Sequence, residues 1–440
     1  MKVGVRSEDK SRWERRVPLV PADLTALRDA GIDAVVQTST HRAFADEEFA
    51  QAGVSVQKDL SDCNVIIGIK EIPSAKLEEG KVYLFFSHVI KGQPANMPML
   101  QRLMEMKATL VDYERIVDEK NRRLIFFGRH AGLAGMVNTL WSLGKRLEVE
   151  GIPSAFGRLK QARAYADLSG AREDLGRIAA RIAADGVPAA IHPLVVGFTG
   201  YGNVSQGAQE ILDLLPVRTI TPAELNSVAH DRARDARVIY KVVFKEADLV
   251  EPLEAGKGFD LDDYYRRGAA GYRSVFDRYL KDLSVLVNCI YWDARYPRLL
   301  TLDQCRTLWA PGRSPKLKVI GDITCDVNGS VECTVRPTDP GNPVYVYEPG
   351  TGMAKDGFAG DGPVMMAVEI LPSEIPRESS IDFSRVLKPF LPHVAEADLS
   401  KPFAELALPP ELKRAVIVYR GELTPDYAYL NSFLAHAAGA

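Results

Sequence analysis

The stretch LVVGFTGYGNVSQGAQEILDLLP, residues 194–216, constrains this chain more than any other part of it. Leu194, Val195, Val196 and Phe198 form a short, apolar, β-branched run of the kind found in a buried parallel strand. Gly200-Tyr201-Gly202 supplies a tight turn, and Val204, Ala208, Ile211, Leu212 and Leu215 then recur at helical spacing before Pro216. Strand, glycine turn and amphipathic helix make the half of a βαβ unit that holds a dinucleotide pyrophosphate on a helix N-terminus. Gly200, Tyr201, Gly202, Asn203 and Val204 are therefore the candidate cofactor contacts. The third glycine of the fingerprint would fall at position 205, which is Ser205, and Gly207 stands two residues further on. Such a motif ordinarily opens its domain, yet here a domain's length of chain precedes it. Something else is built first, and the chemistry is expected between the two parts.

Composition narrows the class. A chain of 440 residues allows roughly two to three domains and a large core. Its 55 basic and 58 acidic residues leave a net charge of −3, which argues against a nucleic-acid footprint or an acidic tail. The five cysteines are scattered and never form a C-x-x-C pair, so reduced thiols and no metal site are expected. The N-terminal MKVGVRSEDKSRWERR is charged and unlike a signal peptide, and no apolar run approaches the roughly 18 residues of a membrane helix. A cytoplasmic protein without a membrane or nucleic-acid partner is the expectation; its oligomeric state is not legible.

Before the glycine loop, residues 1–127 alternate strand and helix. Strands are expected over 2–5, 33–37, 65–69, 82–86 and 109–111, with helices over 21–30, 46–52 and 97–106. Alternating βα units imply a parallel sheet covered on both faces. Arg6, Lys70, His88, and Asp112 with Glu114 fall at or just beyond the strand ends, where sites form in open parallel sheets. Lys70 follows the apolar IIGI and His88 follows YLFFS, so both emerge from buried strands. Lysine, histidine and glutamate together can tune one another toward neutrality, as proton transfer requires. Arg15 and Arg16 in WERRVP are able to grip carboxylates in bidentate fashion, and Lys91 and Gln93 lie close to His88 in sequence. So cationic a pocket favours an anionic substrate with more than one carboxylate.

From Phe126 a small-residue stretch runs into a long helix carrying Met136, Leu140, Leu143 and Leu147 on one stripe. Gly132, Ala134 and Gly135 would permit close backbone approach, and Arg129 and His130 lie at the helix start, where an anion is favoured. Beyond the glycine loop, 217–221 is expected to be the second strand of a nucleotide-binding domain. The acid that would bind the adenosine ribose is missing at Thr221; Glu224 comes late and Arg218 lies inside the strand. That absence favours a 2′-phosphorylated cofactor, with Thr221 and Arg218 beside it. Further strands end near Asn288–Trp292 and at Asp322, placing Tyr291 and Asp322 toward the nicotinamide, while 251–275 reads as loop-rich and polar. The expected fold class is α/β: two Rossmann-like domains with parallel sheets flanking a cleft. Residues 1–127 with 352–440 would form the substrate domain and 128–351 the dinucleotide domain.

These residues carry a resemblance. WERRVPLVP, IIGIKEIP, YLFFSHVIKGQPANM, DYERIVD, FFGRHAGLAGM, FTGYGNVSQGAQEI, NCIYW, GDITCDVNGSVE and EILPSEIPRESS span nearly the whole chain. Together they resemble the lysine–2-oxoglutarate reductase half of the bifunctional lysine-degrading enzymes of animals and plants. More distantly the chain is similar to fungal saccharopine dehydrogenase and to the alanine dehydrogenase and transhydrogenase group. The resemblance implies reversible reductive condensation of L-lysine and 2-oxoglutarate to saccharopine, with Lys70 and His88 as the acid–base pair. It places Arg16, Glu71, Lys91 and Glu114 in the substrate pocket and Asp322 near the cofactor. The animal and plant branch implies NADPH, with NADH as the alternative. An aromatic residue is expected where His130 stands, and Gln or Phe where Arg129 stands, so these two positions bear on the amine. A second dehydrogenase domain is not expected within 440 residues. The alternatives are a related amino-acid or opine-type dehydrogenase with another amine, and a catalytically silent nucleotide-binding module.

Overall fold

The computed structural model describes the backbone of residues 1–437 and the side chains of residues 1–435. The chain divides into two compact units, Met1–Phe127 joined by the chain from Pro376 on, and Gly128–Ile375.

The first unit opens with β1 (Val3–Val5), β2 (Ala34–Gln37), β3 (Ser55–Gln57), β4 (Val65–Ile67), β5 (Val82–Phe85) and β6 (Thr109–Asp112). They pair side by side in the order β3-β2-β1-β4-β5-β6, every pair parallel. Runs such as VII and VYLF are buried at every position, as a sheet covered on both faces demands. The helix Pro21–Asp29 starts on proline and buries Leu24 and Leu27, while Met97–Glu105 buries Met97, Met99, Leu100 and Leu103. The short edge strand β3 was not expected from the sequence.

The second unit begins with the long helix Gly128–Val149, followed by the helix Leu168–Asp185. Its strands are β7 (Val195–Thr199), β8 (Val217–Ile220), β9 (Ile239–Phe244), β10 (Val250–Pro252), β11 (Tyr272–Ser274), β12 (Val285–Asn288), β13 (Val319–Asp322), β14 (Val344–Glu348), β15 (Met353–Asp356) and β16 (Val364–Met366). The order in the main sheet is β15-β14-β16-β13-β12-β7-β9-β8, parallel from β16 to β8 with β14 and β15 antiparallel at one edge.

Three features were not legible in the sequence. β8 is not the neighbour of the glycine-turn strand: β9 pairs with β7 along its length and β8 lies outside it. The physical reason is apolarity. β9 reads IYKVVF and is almost wholly buried, whereas Arg218 and Thr219 of β8 are exposed, as suits an edge. Within the loop-rich residues 251–275 the antiparallel pair β10–β11 encloses the helix Leu261–Arg267. Residues 353–366 lie in the second unit's sheet as β15 and β16, so the return to the first unit falls at Pro376 rather than near 352.

The returning chain adds β17 (Val416–Tyr419), antiparallel to β6, and β18 (Glu422–Leu423). The first sheet is thereby eight-stranded. Beyond it the Tyr429 hydroxyl donates to the Ile90 carbonyl at 2.6 Å. Phe433 packs where a Cβ on Gly92 would stand, 2.3 Å from its ring, and Gly92 has φ +66°. The tail thus grips the turn that follows β5.

Candidate functional site

In the first unit, the turns after β1, β4 and β5 converge at one edge of the sheet because the strands are parallel. Just past β5, His88 sits in the left-handed region at φ +50°, a conformation that costs a histidine energy and persists only when its surroundings hold it. Here they do. The Ser87 amide and hydroxyl both donate to the buried Asp112 carboxylate at the end of β6, and Asn96 Nδ2 donates to the His88 carbonyl at 3.1 Å. The His88 ring lies 6.1 Å from Phe86, nearly parallel to it.

His88 Nδ1 is 2.8 Å from Glu71 Oε1, and Lys10 Nζ stands 4.0 Å from the other carboxylate oxygen. Burial pushes the Glu71 carboxyl up, but the His88 hydrogen bond and charge outweigh it and hold it at about 2. Glu71 is therefore ionised and accepts the Nδ1 hydrogen, which leaves Nε2 as the proton-accepting atom of the ring.

Lys70 is positioned through its backbone. Glu8 accepts from the amides of Ile69 at 2.6 Å and Lys70 at 3.0 Å. Glu8 is fully buried, and burial pushes it up to about 7 despite the nearby Arg6. Lys70 also contributes to the field at Glu14, where burial raises the carboxyl but the Arg16 guanidinium outweighs it and the net shift is downward. Arg16 donates Nε to Glu14 Oε1 at 2.7 Å and Nη2 to the second oxygen, and stacks its guanidinium 4.2 Å from the Phe127 ring centroid. Among the described residues its Nη1 makes no hydrogen bond, so one arm of the fork remains for an external acceptor. Glu114 donates its amide to Asp112 at 2.7 Å and accepts from Arg123 at 2.6 Å. Lys91 is exposed on the turn that Tyr429 and Phe433 secure. Glu8 and Glu14 were not singled out in the sequence, where RSEDKSRWERR looks like solvated surface.

In the second unit, β7 ends at Thr199 and the chain turns at Gly200, φ +84°, into the helix Asn203–Leu212 with Gly202 at its cap. A Cβ on Gly202 would meet nothing within 4 Å, so open space faces the helix's first amides, as a phosphate requires. The displaced Gly207 has its own reason: a Cβ there would fall 2.1 Å from the Arg129 carbonyl. Reciprocally, one on Gly132 would fall 2.0 Å from the Val204 carbonyl, so the two glycines let two helices touch by their backbones. Ser205, where the third glycine was expected, is buried and accepts from Gln209 at 2.9 Å.

A cavity of about 430 Å³ opens beside the turn, lined by Gly200, Tyr201, Gly202, Glu246, Tyr265 and Tyr291 among others. Glu246 follows β9 and accepts from the Tyr265 hydroxyl at 2.7 Å and the Tyr201 hydroxyl at 3.4 Å. Lys245 Nζ lies 5.9 Å from the Tyr201 ring centroid. Thr221 and Arg218 do not line this cavity. Thr221 donates its amide and hydroxyl to Glu224, each at 2.8 Å, just past the edge strand. Asp322 is buried at the end of β13, accepting from Asn288 Nδ2 at 2.9 Å and from the Thr324 and Thr334 hydroxyls. Asn288 in turn accepts from Thr199 at 2.8 Å, tying three strand ends together. Arg129 pairs with Glu210 at 2.6 Å and His130 is buried in the long helix, both within this unit. No cluster of metal ligands is present among the described residues, and no described helix is long and apolar enough to cross a membrane.

Two parallel-dominated sheets, one bearing a glycine turn and the other titratable side chains at its strand ends, define an α/β protein. Residues 4–134 match the family described as "Alanine dehydrogenase/PNT, N-terminal domain". The fold is that of a solved L-alanine dehydrogenase, with a TM-score of 0.62 at 17% identity over 99% of this chain and all of that one. The alpha-aminoadipic semialdehyde synthase of Arabidopsis thaliana is 38% identical over 97% of this chain and 41% of its own length. That of Bos taurus is 33% identical over 97% and 47%. The chain therefore spans less than half the length of these curated relatives. A "Saccharopine dehydrogenase [NAD(+), L-lysine-forming]" of Emericella nidulans is 27% identical over 89% of this chain and 91% of its own. The chain is a homologue of the saccharopine dehydrogenases and of part of alpha-aminoadipic semialdehyde synthase, and it carries the alanine dehydrogenase/PNT N-terminal domain.

Proposed function

We propose that this chain is a nicotinamide-dependent oxidoreductase that reversibly joins L-lysine and 2-oxoglutarate into saccharopine. The observation that carries the reading is His88 held against the ionised Glu71 beside Lys70. The relatives' printed names, saccharopine dehydrogenase and alpha-aminoadipic semialdehyde synthase, support the substrate. The amine adds to the keto carbon and water then leaves, giving an imine. One group must take the proton from the amine nitrogen, and another must donate the proton with which the hydroxyl departs. In this reading His88 Nε2 accepts the first proton and Lys70 donates the second. Arg16 Nη1 and Lys91 supply charge for substrate carboxylates, with Glu114 bordering the same strand ends. The Gly200–Val204 turn would hold a dinucleotide, whose nicotinamide would supply the hydride for reduction of the imine. Tyr291 lines the cavity beside that turn, and Asp322 braces the strand ends near it. Lys245 offers a cation to a 2′-phosphate and Glu246 an acceptor to a ribose diol, so the choice between NADPH and NADH is made after β9 rather than at Thr221 and Arg218.

The test is loss of reduced-nicotinamide absorbance with 2-oxoglutarate and a panel of amines, using each dinucleotide. Turnover with lysine, yielding saccharopine by mass spectrometry, is expected. Turnover only with another amine would move the reading to an opine-type dehydrogenase. Dinucleotide binding without turnover on any amine would make the chain a silent nucleotide-binding module.

A further inference from the structure

The amino ends of the second unit's strands carry a second cavity, of about 500 Å³, at the opposite sheet edge from the glycine turn. Arg232 precedes β9, Lys281 precedes β12, and Arg313, Lys316 and Lys318 precede β13, so parallel pairing gathers five cations around one space. Arg232 donates to the Ala189 and His192 carbonyls, and Lys316 Nζ donates to the Ala229 carbonyl at 3.0 Å. These bonds orient the cations without neutralising them. The nearby carboxylates are already engaged: Asp282 accepts from His230 at 2.8 Å and from Asn226, and Glu150 pairs with Lys318 at 3.0 Å and with Arg146. Among the described residues the side chains of Lys281 and Arg313 make no hydrogen bond or ion pair. Burial and the Arg232 charge push Lys316 down to about 8, against the opposing pull of the Asp282 carboxylate.

From this arrangement we propose that the cavity binds a phosphorylated small molecule. A surplus of cations over carboxylates calls for a ligand with at least two negative charges, which a monocarboxylate lacks. Lysine ammonium groups with arginine forks suit phosphate oxygens. The volume exceeds a bare phosphate and falls in the range of metabolite pockets. Leu308 and Pro315 supply an apolar wall for an organic body. A concave space between several strand ends, rather than a cationic stripe, favours a small molecule over a nucleic-acid backbone. The site is independent of the reaction proposed above.

Calorimetric titration of the full chain with inorganic pyrophosphate, and separately with succinate, tests this. Pyrophosphate is expected to bind, to bind at least 10-fold more weakly to the Lys281→Ala/Arg313→Ala double variant, and to retain affinity for Lys281→Arg/Arg313→Lys. Equal affinity in the alanine variant would place the binding elsewhere, for example at the glycine turn, and overturn the proposal. So would absence of binding, or tighter binding of succinate. Should the alanine variant not fold, acylation of Lys316 in the unmodified protein, read by mass spectrometry, decides instead. Protection by pyrophosphate is expected, and labelling at an unchanged rate overturns the site.

Discussion

His88 Nδ1 lies 2.8 Å from Glu71 Oε1, and that contact joins the turn after β5 to the turn after β4. Glu71, at about 2 instead of the usual 4.5, stabilises the folded protein above pH 4.5, and that contribution fades as pH falls toward 2. The Glu71→Gln variant should therefore melt below wild type at about pH 6, with the gap closing toward about pH 3. Its kcat should fall about 10-fold, because the ring loses the group that fixes its tautomer. A melting gap that is constant with pH would show that the pair is not ionised as described.

The C-terminal tail should matter to turnover. Tyr429→Phe removes the donor to Ile90, and Phe433→Ala uncovers Gly92. Together they are expected to lower kcat several-fold and speed amide hydrogen exchange over residues 88–92, with dinucleotide affinity unchanged. Unchanged exchange there would mean that the turn holds without the tail.

Strand order makes a prediction about cofactor choice. Glu246 follows the strand beside β7, where its carboxylate would repel a 2′-phosphate, so Glu246→Gln should raise kcat/KM for NADPH relative to NADH by about 10-fold. Lys245→Ala should move the ratio the other way. Thr221→Ala and Arg218→Ala should leave it alone. A ratio that responds to Arg218 and not to Glu246 would return the discriminating position to β8.

Gly207→Ala and Gly132→Ala should each destabilise the second unit by about 2–3 kcal/mol, since the added methyl meets backbone that cannot step aside. Calorimetric melting measures this, and a loss within about 0.5 kcal/mol would contradict the close helix contact.

Much of this was legible because periodicity and strand ends are local signals. The glycine turn, the parallel strands β1, β2, β4, β5, β6, β7, β8, β12 and β13, and the emergence of Lys70 and His88 from buried runs could be read from neighbouring residues alone. Lateral order could not: consecutive strands often neighbour, and only the exposure of Arg218 and Thr219 against the buried IYKVVF tells that β8 is the edge. β3 was missed because three residues of mixed polarity carry no usable period. Glu8 and Glu14 were missed because burial of an acid depends on distant partners, here the Ile69 and Lys70 amides and an arginine two residues along.

The most direct test is steady-state turnover of His88→Gln and Lys70→Met beside dinucleotide titrations of the same proteins. Each substitution should lower kcat by roughly 10²–10⁴-fold, the span a lost proton carrier produces. Dinucleotide affinity should stay within about two-fold of wild type, because the Gly200–Val204 turn belongs to the other unit. If both variants turn over within a few-fold of wild type, the strand-end cluster is not the acid–base centre.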